Sequence, residues 1–170
     1  MVLIGYIPVC KLECFSKKSW SAQGYQLFHK CMQALLQPLI DAGKNGIDMD
    51  CANGFIRNVY PILAAYIADY PEQCLVVCCK ESACPRCLVN PKECRACLFS
   101  FLWDQDTMLR VLEEKAQGEN PGEFKVHSLC AINPFWKDLP HCDIFSGITL
   151  DLLHQLHKGA FKDHSCNGWW

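Results

Sequence analysis

The chain has 170 residues, of which 51% are hydrophobic and 20% charged, and its formal net charge is -2. This composition belongs to a folded globular sequence with a core and excludes a disordered tail. It also excludes a strongly basic field that would hold nucleic acid by phosphate neutralisation alone.

The first segment, Val2 to Val9 (VLIGYIPV), is β-branched and apolar and is expected to form a strand entered midway through a fold. It lacks the basic start and small-residue cleavage site of a signal peptide, and no run in the chain approaches the roughly 18 apolar residues of a membrane span. Lys11 to Ser21 is loop-like. A helix is predicted next, because Tyr25, Phe28, Met32, Leu35, Leu36, Leu39 and Ile40 recur at steps of three and four. Ser21 is its candidate N-cap, Gly43 its stop, and Pro38 a kink or a fresh turn inside it. Gly46 to Cys51 is a short candidate strand, Asn53-Gly54 a turn, and Phe55 to Tyr60 either a helical turn or an edge strand.

The apolar run Ile62 to Ala68 has strand length and is predicted to be a central strand ending on Asp69. A second apolar segment follows, Cys74 to Cys79, and then the Cys84-Pro85-Arg86-Cys87 knuckle. Leu98 to Trp103 is apolar and aromatic, and Thr107 to Gln117 reads as a helix through Met108, Leu109, Val111 and Leu112, ended by Gly118. GENPGE, Gly118 to Glu123, has linker chemistry and is the best internal boundary. Asn133 to Trp136 and Asp138 to Pro140 read as loop, and Asp143 to Phe145 as a short strand. A last helix is predicted from an N-cap at Thr149 to Gly159.

Three groups of residues could carry chemistry. Asp69 ends a buried strand close to a metal-ligand pair, as an active-site carboxylate would, but an Asp before a Pro-containing turn also caps such turns. Cys84-x2-Cys87 and Cys94-x2-Cys97 are two knuckle-like pairs whose four thiolates could close a tetrahedral zinc site, with Cys78, Cys79, His141 and Cys142 as alternative ligands. Fourteen cysteines bring a disulfide scaffold into consideration. Without a signal peptide, reduced cysteines are expected, some on metal and the others as small buried hydrophobes. Asp151, His154 and His157 are spaced three apart on the predicted last helix, as part of a divalent-metal site or an ordinary solvated face. Asp48 and Asp50 share one face of a strand, the common pattern of an exposed edge.

The ordered blocks LIGYIPVCKLECFSKKSWSAQGYQLFHKCM, LLQPLIDAGKNG, RNVYPILAAYIADYPEQCLVVCCKESACPRCLV and FWKDLPHCDIF followed by DLLHQLHKGAFKDH span Leu3 to His164. Together they resemble Plavaka-type transposases of the Kyakuja-Dileera-Zisupton group of fungal mobile elements, which is similar in turn to CACTA-type transposases. The resemblance implies an α/β chain: a partial RNase H-like core with a cysteine-rich zinc-binding insert. The implied divisions are 1–82 for the core, 83–98 for a zinc-knuckle insert, 99–140 for a helical and loop insert, and 141–170 for a return to the core with a non-matching tail.

In such cores acidic residues hold two magnesium ions for hydrolysis and transfer of DNA strands. By resemblance Asp69 takes the second acidic position, Asp151 with His154 beside it supplies the third, and Cys84 and Cys87 match a structural zinc pair. Cys94 and Cys97 would complete the zinc site. The resemblance places the first catalytic Asp on a strand before the LIGYIP block, so an incomplete fragment, inactive alone, is expected. It also implies nuclear location and transposon-end DNA as partner, with no membrane; self-association into a homo-oligomer stays open. The rival expectations are a non-enzymatic zinc-binding module for protein or DNA contacts and a small secreted disulfide protein.

Overall fold

A computed structural model of the chain describes residues 4–7, 13–17, 19–93, 99–153, 157–158 and 162. It divides into two compact units, Met1–Ala64 with Ala131–Cys142 and Ala65–Cys130 with Asp143–Trp170. The mixture of helices and small sheets is the α/β class expected from the sequence.

The first unit is built on α1, Trp20–Asn45. It begins two residues earlier than expected: Ser19, not Ser21, is the N-cap, its hydroxyl turned back to donate to the Ser16 carbonyl at 2.9 Å. It ends at Gly46, whose φ of 74° suits glycine and whose N–H donates to the Ala42 carbonyl. Pro38 lies within the helix. Gly43 faces the core so closely that an added Cβ would lie 2.5 Å from Pro140 Cγ and 2.9 Å from the Pro61 carbonyl. After α1, β1 (Ile47–Asp50) and β2 (Ile56–Val59) form an antiparallel hairpin. Its loop closes through Asn53, which accepts from the Phe55 N–H, and Gly54, at φ 79°. The open choice for Phe55 to Tyr60 thus resolves as strand.

The other half of this unit's core comes from a segment expected to be loop. Phe135–Asp138 is a 3-10 turn whose Phe135 and Trp136 are fully buried. Three polar side chains on α1, spaced by three and four residues, hold it. Gln26 accepts from the Asn133 N–H at 3.1 Å, His29 Nδ1 accepts from the Phe135 N–H at 3.2 Å, and Gln33 donates to Asp138 at 3.1 Å. The Phe28 and His29 rings pack on Phe135 at 6.4 and 5.5 Å. Pro and polar residues made the segment look like solvent-facing loop, but a short turn needs no periodicity to bury two large rings.

The second unit holds a parallel pair of strands, β3 (Tyr66–Ala68) and β4 (Ile148–Leu150), in register Tyr66 with Ile148, Ile67 with Thr149 and Ala68 with Leu150. Between them in sequence lie α2 (Tyr70–Val76), α3 (Gln105–Ala116), α4 (Gly122–Val126) and α5 (Ile144–Gly147). Met108, Val111 and Leu112, one stripe of α3, pack into a core with Val76, Val77, Leu129, Ile144 and Phe145. Asp104 caps α3, accepting from the Thr107 N–H, and hydrogen bonding from the Thr107 side chain first and its N–H second holds the carboxyl below the usual range. Trp103 stacks on Phe145 at 6.1 Å between ring centres.

Several expectations are corrected. The predicted central strand is only three residues long, and among the described residues it pairs with β4 alone; Ile62 is half exposed, so the upstream run is not a buried strand. The described part of Val2 to Val9, residues 4–7, is not in a sheet, and Ile4 and Tyr6 are exposed. Asp143 to Phe145 is not a strand: Asp143 caps α5 by accepting from the Phe145 N–H. Thr149 is a strand residue and not the cap of a last helix. The described residues beyond Asp151, at 152–153, 157–158 and 162, lie in wide π-type turns. GENPGE lies inside the second unit, where Arg110, paired within α3 to Glu114, also reaches Glu123 at its far end.

The buried ring pair sets the first unit's stability. Trp136→Ala should destabilise it by about 3–5 kcal/mol, read as a lower urea midpoint, whereas exposed Tyr6→Ala should shift it by less than about 0.5 kcal/mol.

Candidate functional site

Parallel strands in α/β folds present their carboxyl ends as a shared edge where ligands bind. In the second unit that edge is short and its register is fixed. Ala68 and Leu150 are the last pair, so Asp69 and Asp151 are each the first residue beyond it. The Asp151 N–H donates to the Ala68 carbonyl at 3.3 Å, which carries the pairing one step further. Neighbouring strands lie about 4.8 Å apart, so the backbone brings the two aspartates side by side.

Local chemistry orients both. Asp69 leaves its strand in extended conformation and becomes the N-cap of α2, its Oδ1 accepting from the Glu72 N–H at 3.0 Å, with Pro in the first turn. Asp151 Oδ1 accepts from the Leu153 N–H at 2.8 Å. An ionised carboxylate has about four acceptor sites on two oxygens, and the Glu72 N–H takes one of those of Asp69. The expectation that Asp69 acts as a cap is met, at the start of α2.

Two neighbours were not singled out from the sequence. Gln73, buried to 1% exposure, donates through Nε2 to the Ala68 carbonyl at 2.8 Å and to the Thr149 carbonyl at 3.1 Å. Tyr66 donates to Glu72 at 2.7 Å, and burial together with this carboxylate pushes the phenol's pKa up, so it stays protonated. The signal for the turn was present: Asp69-x-x-Glu72 has capping-box spacing, although Glu72 reaches Tyr66 instead of the cap.

The knuckle lies elsewhere in the same unit. Cys84 and Cys87 bring their sulfurs to 3.4 Å. The turn is pinned by Trp103, whose indole donates to the Cys84 carbonyl at 2.8 Å and whose N–H donates to Arg86, and by Leu88 bonding Phe101. Two thiolates on one tetrahedral zinc, at Zn–S distances of about 2.3 Å, would be about 3.8 Å apart, so the turn is near ligand geometry. Burial, as the main cause, pushes the Cys84 thiol up. A cavity of about 230 Å³ adjoins, lined in part by Cys87, Trp103, His127 and Ser128.

The remaining candidates lie in the second unit's core, in the first unit or outside the described residues. Cys94, Cys97 and His154 lie outside them. Cys78 and Cys79 are fully buried in the second unit's core, and burial raises the Cys78 thiol well above its ordinary value. His141 and Cys142 belong to the first unit. Asp48 is exposed on β1 and accepts from the Asn58 amide at 3.0 Å. Among the described residues no three His, Cys, Asp or Glu side chains converge in metal-ligand geometry, and no helix is long and apolar enough to cross a membrane.

Searches of curated proteins and of solved structures each returned no match. A family model described as Plavaka transposase matches residues 1–169. With essentially the whole length covered, the chain belongs to the Plavaka transposase family.

Proposed function

We propose that the chain is part of the RNase H-like catalytic core of a DNA transposase, in which Asp69 and Asp151 hold divalent cations, magnesium in the cell, for strand cleavage and transfer. The observation that carries this reading is the pair of aspartates one step past the last register pair of two parallel strands. Carboxylates suit hard cations, and two such ions stabilise the attacking and leaving oxygens of an in-line displacement. His154 is assigned beside Asp151 on the resemblance alone. Transposon-end DNA is the substrate this chemistry requires, and the nucleus is where it acts.

Two carboxylates do not complete a two-cation site, so the chain alone is expected to bind a cation weakly and not to cut DNA. Purified protein should leave supercoiled plasmid intact with magnesium or manganese. Nicking that disappears in Asp69→Asn would show that the site is complete. Manganese binding, followed by electron paramagnetic resonance, should be lost in both Asp69→Asn and Asp151→Asn. The first should change stability by less than about 0.5 kcal/mol because Asn caps a helix as well as Asp, whereas Asp69→Ala should lose about 1 kcal/mol.

A second reading, a zinc-binding module retained for protein or DNA contacts, is favoured by the pinned turn that holds two thiols 3.4 Å apart. Zinc would supply the charge that keeps thiolates ionised despite burial, with Cys94 and Cys97 proposed as the other ligands. Elemental analysis of protein purified under reducing conditions should give about one zinc per chain, lost in Cys84→Ser and on chelation. Metal-free, stable protein would remove both this reading and the zinc insert.

A further inference from the structure

Gln73 is a fully buried polar side chain that core packing alone does not explain. Its backbone N–H donates to the Asp69 carbonyl at 2.9 Å as part of the first turn of α2. Its side-chain nitrogen reaches both strands, at 2.8 Å to the Ala68 carbonyl and 3.1 Å to the Thr149 carbonyl. A primary amide nitrogen has two hydrogens, and here each has a strand carbonyl to meet. The Ala68 carbonyl also receives the Asp151 N–H, so one acceptor joins Gln73, β3 and the residue that follows β4. The ladder between the strands has only three register pairs, so two side-chain bonds at its carboxyl end are a large part of what fixes it.

We propose that Gln73 is a positioning residue that clamps the ends of β3 and β4 and so sets the separation of Asp69 and Asp151 for cation binding. This rests on the reading of the two aspartates as cation ligands. Gln73 itself touches no cation. It acts through the backbone, where displacements of about half an ångström decide whether ligands converge. Hydrophobic contact would satisfy a merely structural role, whereas the clamp requires an N–H₂ group.

The test compares the full chain with Gln73→Met, which keeps the length and removes both donors. Manganese affinity should fall at least tenfold in the folded variant. Exchange of the Asp151 amide should speed up at least tenfold, while the Val111 and Leu112 amides on α3 keep their protection. Unchanged manganese affinity in folded Gln73→Met overturns the proposal. Wild-type protein that binds no manganese overturns the cation reading itself, a distinct result. If Gln73→Met does not fold, the wild type decides by nuclear magnetic resonance. Gln73 side-chain protons that exchange tenfold more slowly than those of exposed Gln117, and broaden on adding manganese, support the clamp. Exchange as fast as Gln117 overturns it.

Discussion

The register of one short parallel ladder carries the functional argument. Side chains alternate across a strand, so a slip of one residue between β3 and β4 would turn one strand's side chains to the opposite face. Ala68 opposite Leu150 is the pairing that sets two acidic residues next to each other. Three pairs are few to hold a register, and the second unit reinforces them from outside the ladder. The Asp151 N–H extends the pairing, α5 runs directly into β4, and α2 begins immediately after β3 so that its first turn lies against both ends.

The same turn gives Asp69 a capping role that also orients its carboxylate. A helix N-terminus offers backbone N–H groups that orient a carboxylate without neutralising it. Asp69 meets the Glu72 N–H with one oxygen, and that bond fixes the side chain where a mobile carboxylate would sample many rotamers. Rigid presentation of ligands is what a cation site needs.

Much of this was readable in the residues, and the failures have physical causes. Long amphipathic periodicity located α1 and α3, and Asn53-Gly54 located the hairpin, because these signals are local. Asp69 was a candidate from its strand end and Asp151 from its spacing with His154 and His157, and the resemblance gave them their acidic positions; their adjacency depends on a pairing between residues far apart in sequence, which no local pattern encodes. The run Ile62 to Ala68 looked like a buried strand because apolar content was read as burial, yet Ile62 and Ile67 are exposed. The segment around Phe135 failed the other way: it reads as loop, while Gln26 and His29 of α1 satisfy its backbone and Gln33 holds the Asp138 side chain. Gln73 was not singled out because it lies in what reads as a turn between two apolar segments, and only the fold shows which carbonyls it meets.

The chain visits the first unit, leaves it for the second, and returns between Ala131 and Cys142 before leaving again. His29 and Phe135 are 106 positions apart, and at typical rates of synthesis the helix emerges roughly five to twenty seconds before its partner ring. During that interval the part of α1 around Phe28 and His29 lacks the ring that covers it. A nascent chain with this plan is a natural client for holdase chaperones, and its yield should depend on how fast the ribosome delivers the returning segment.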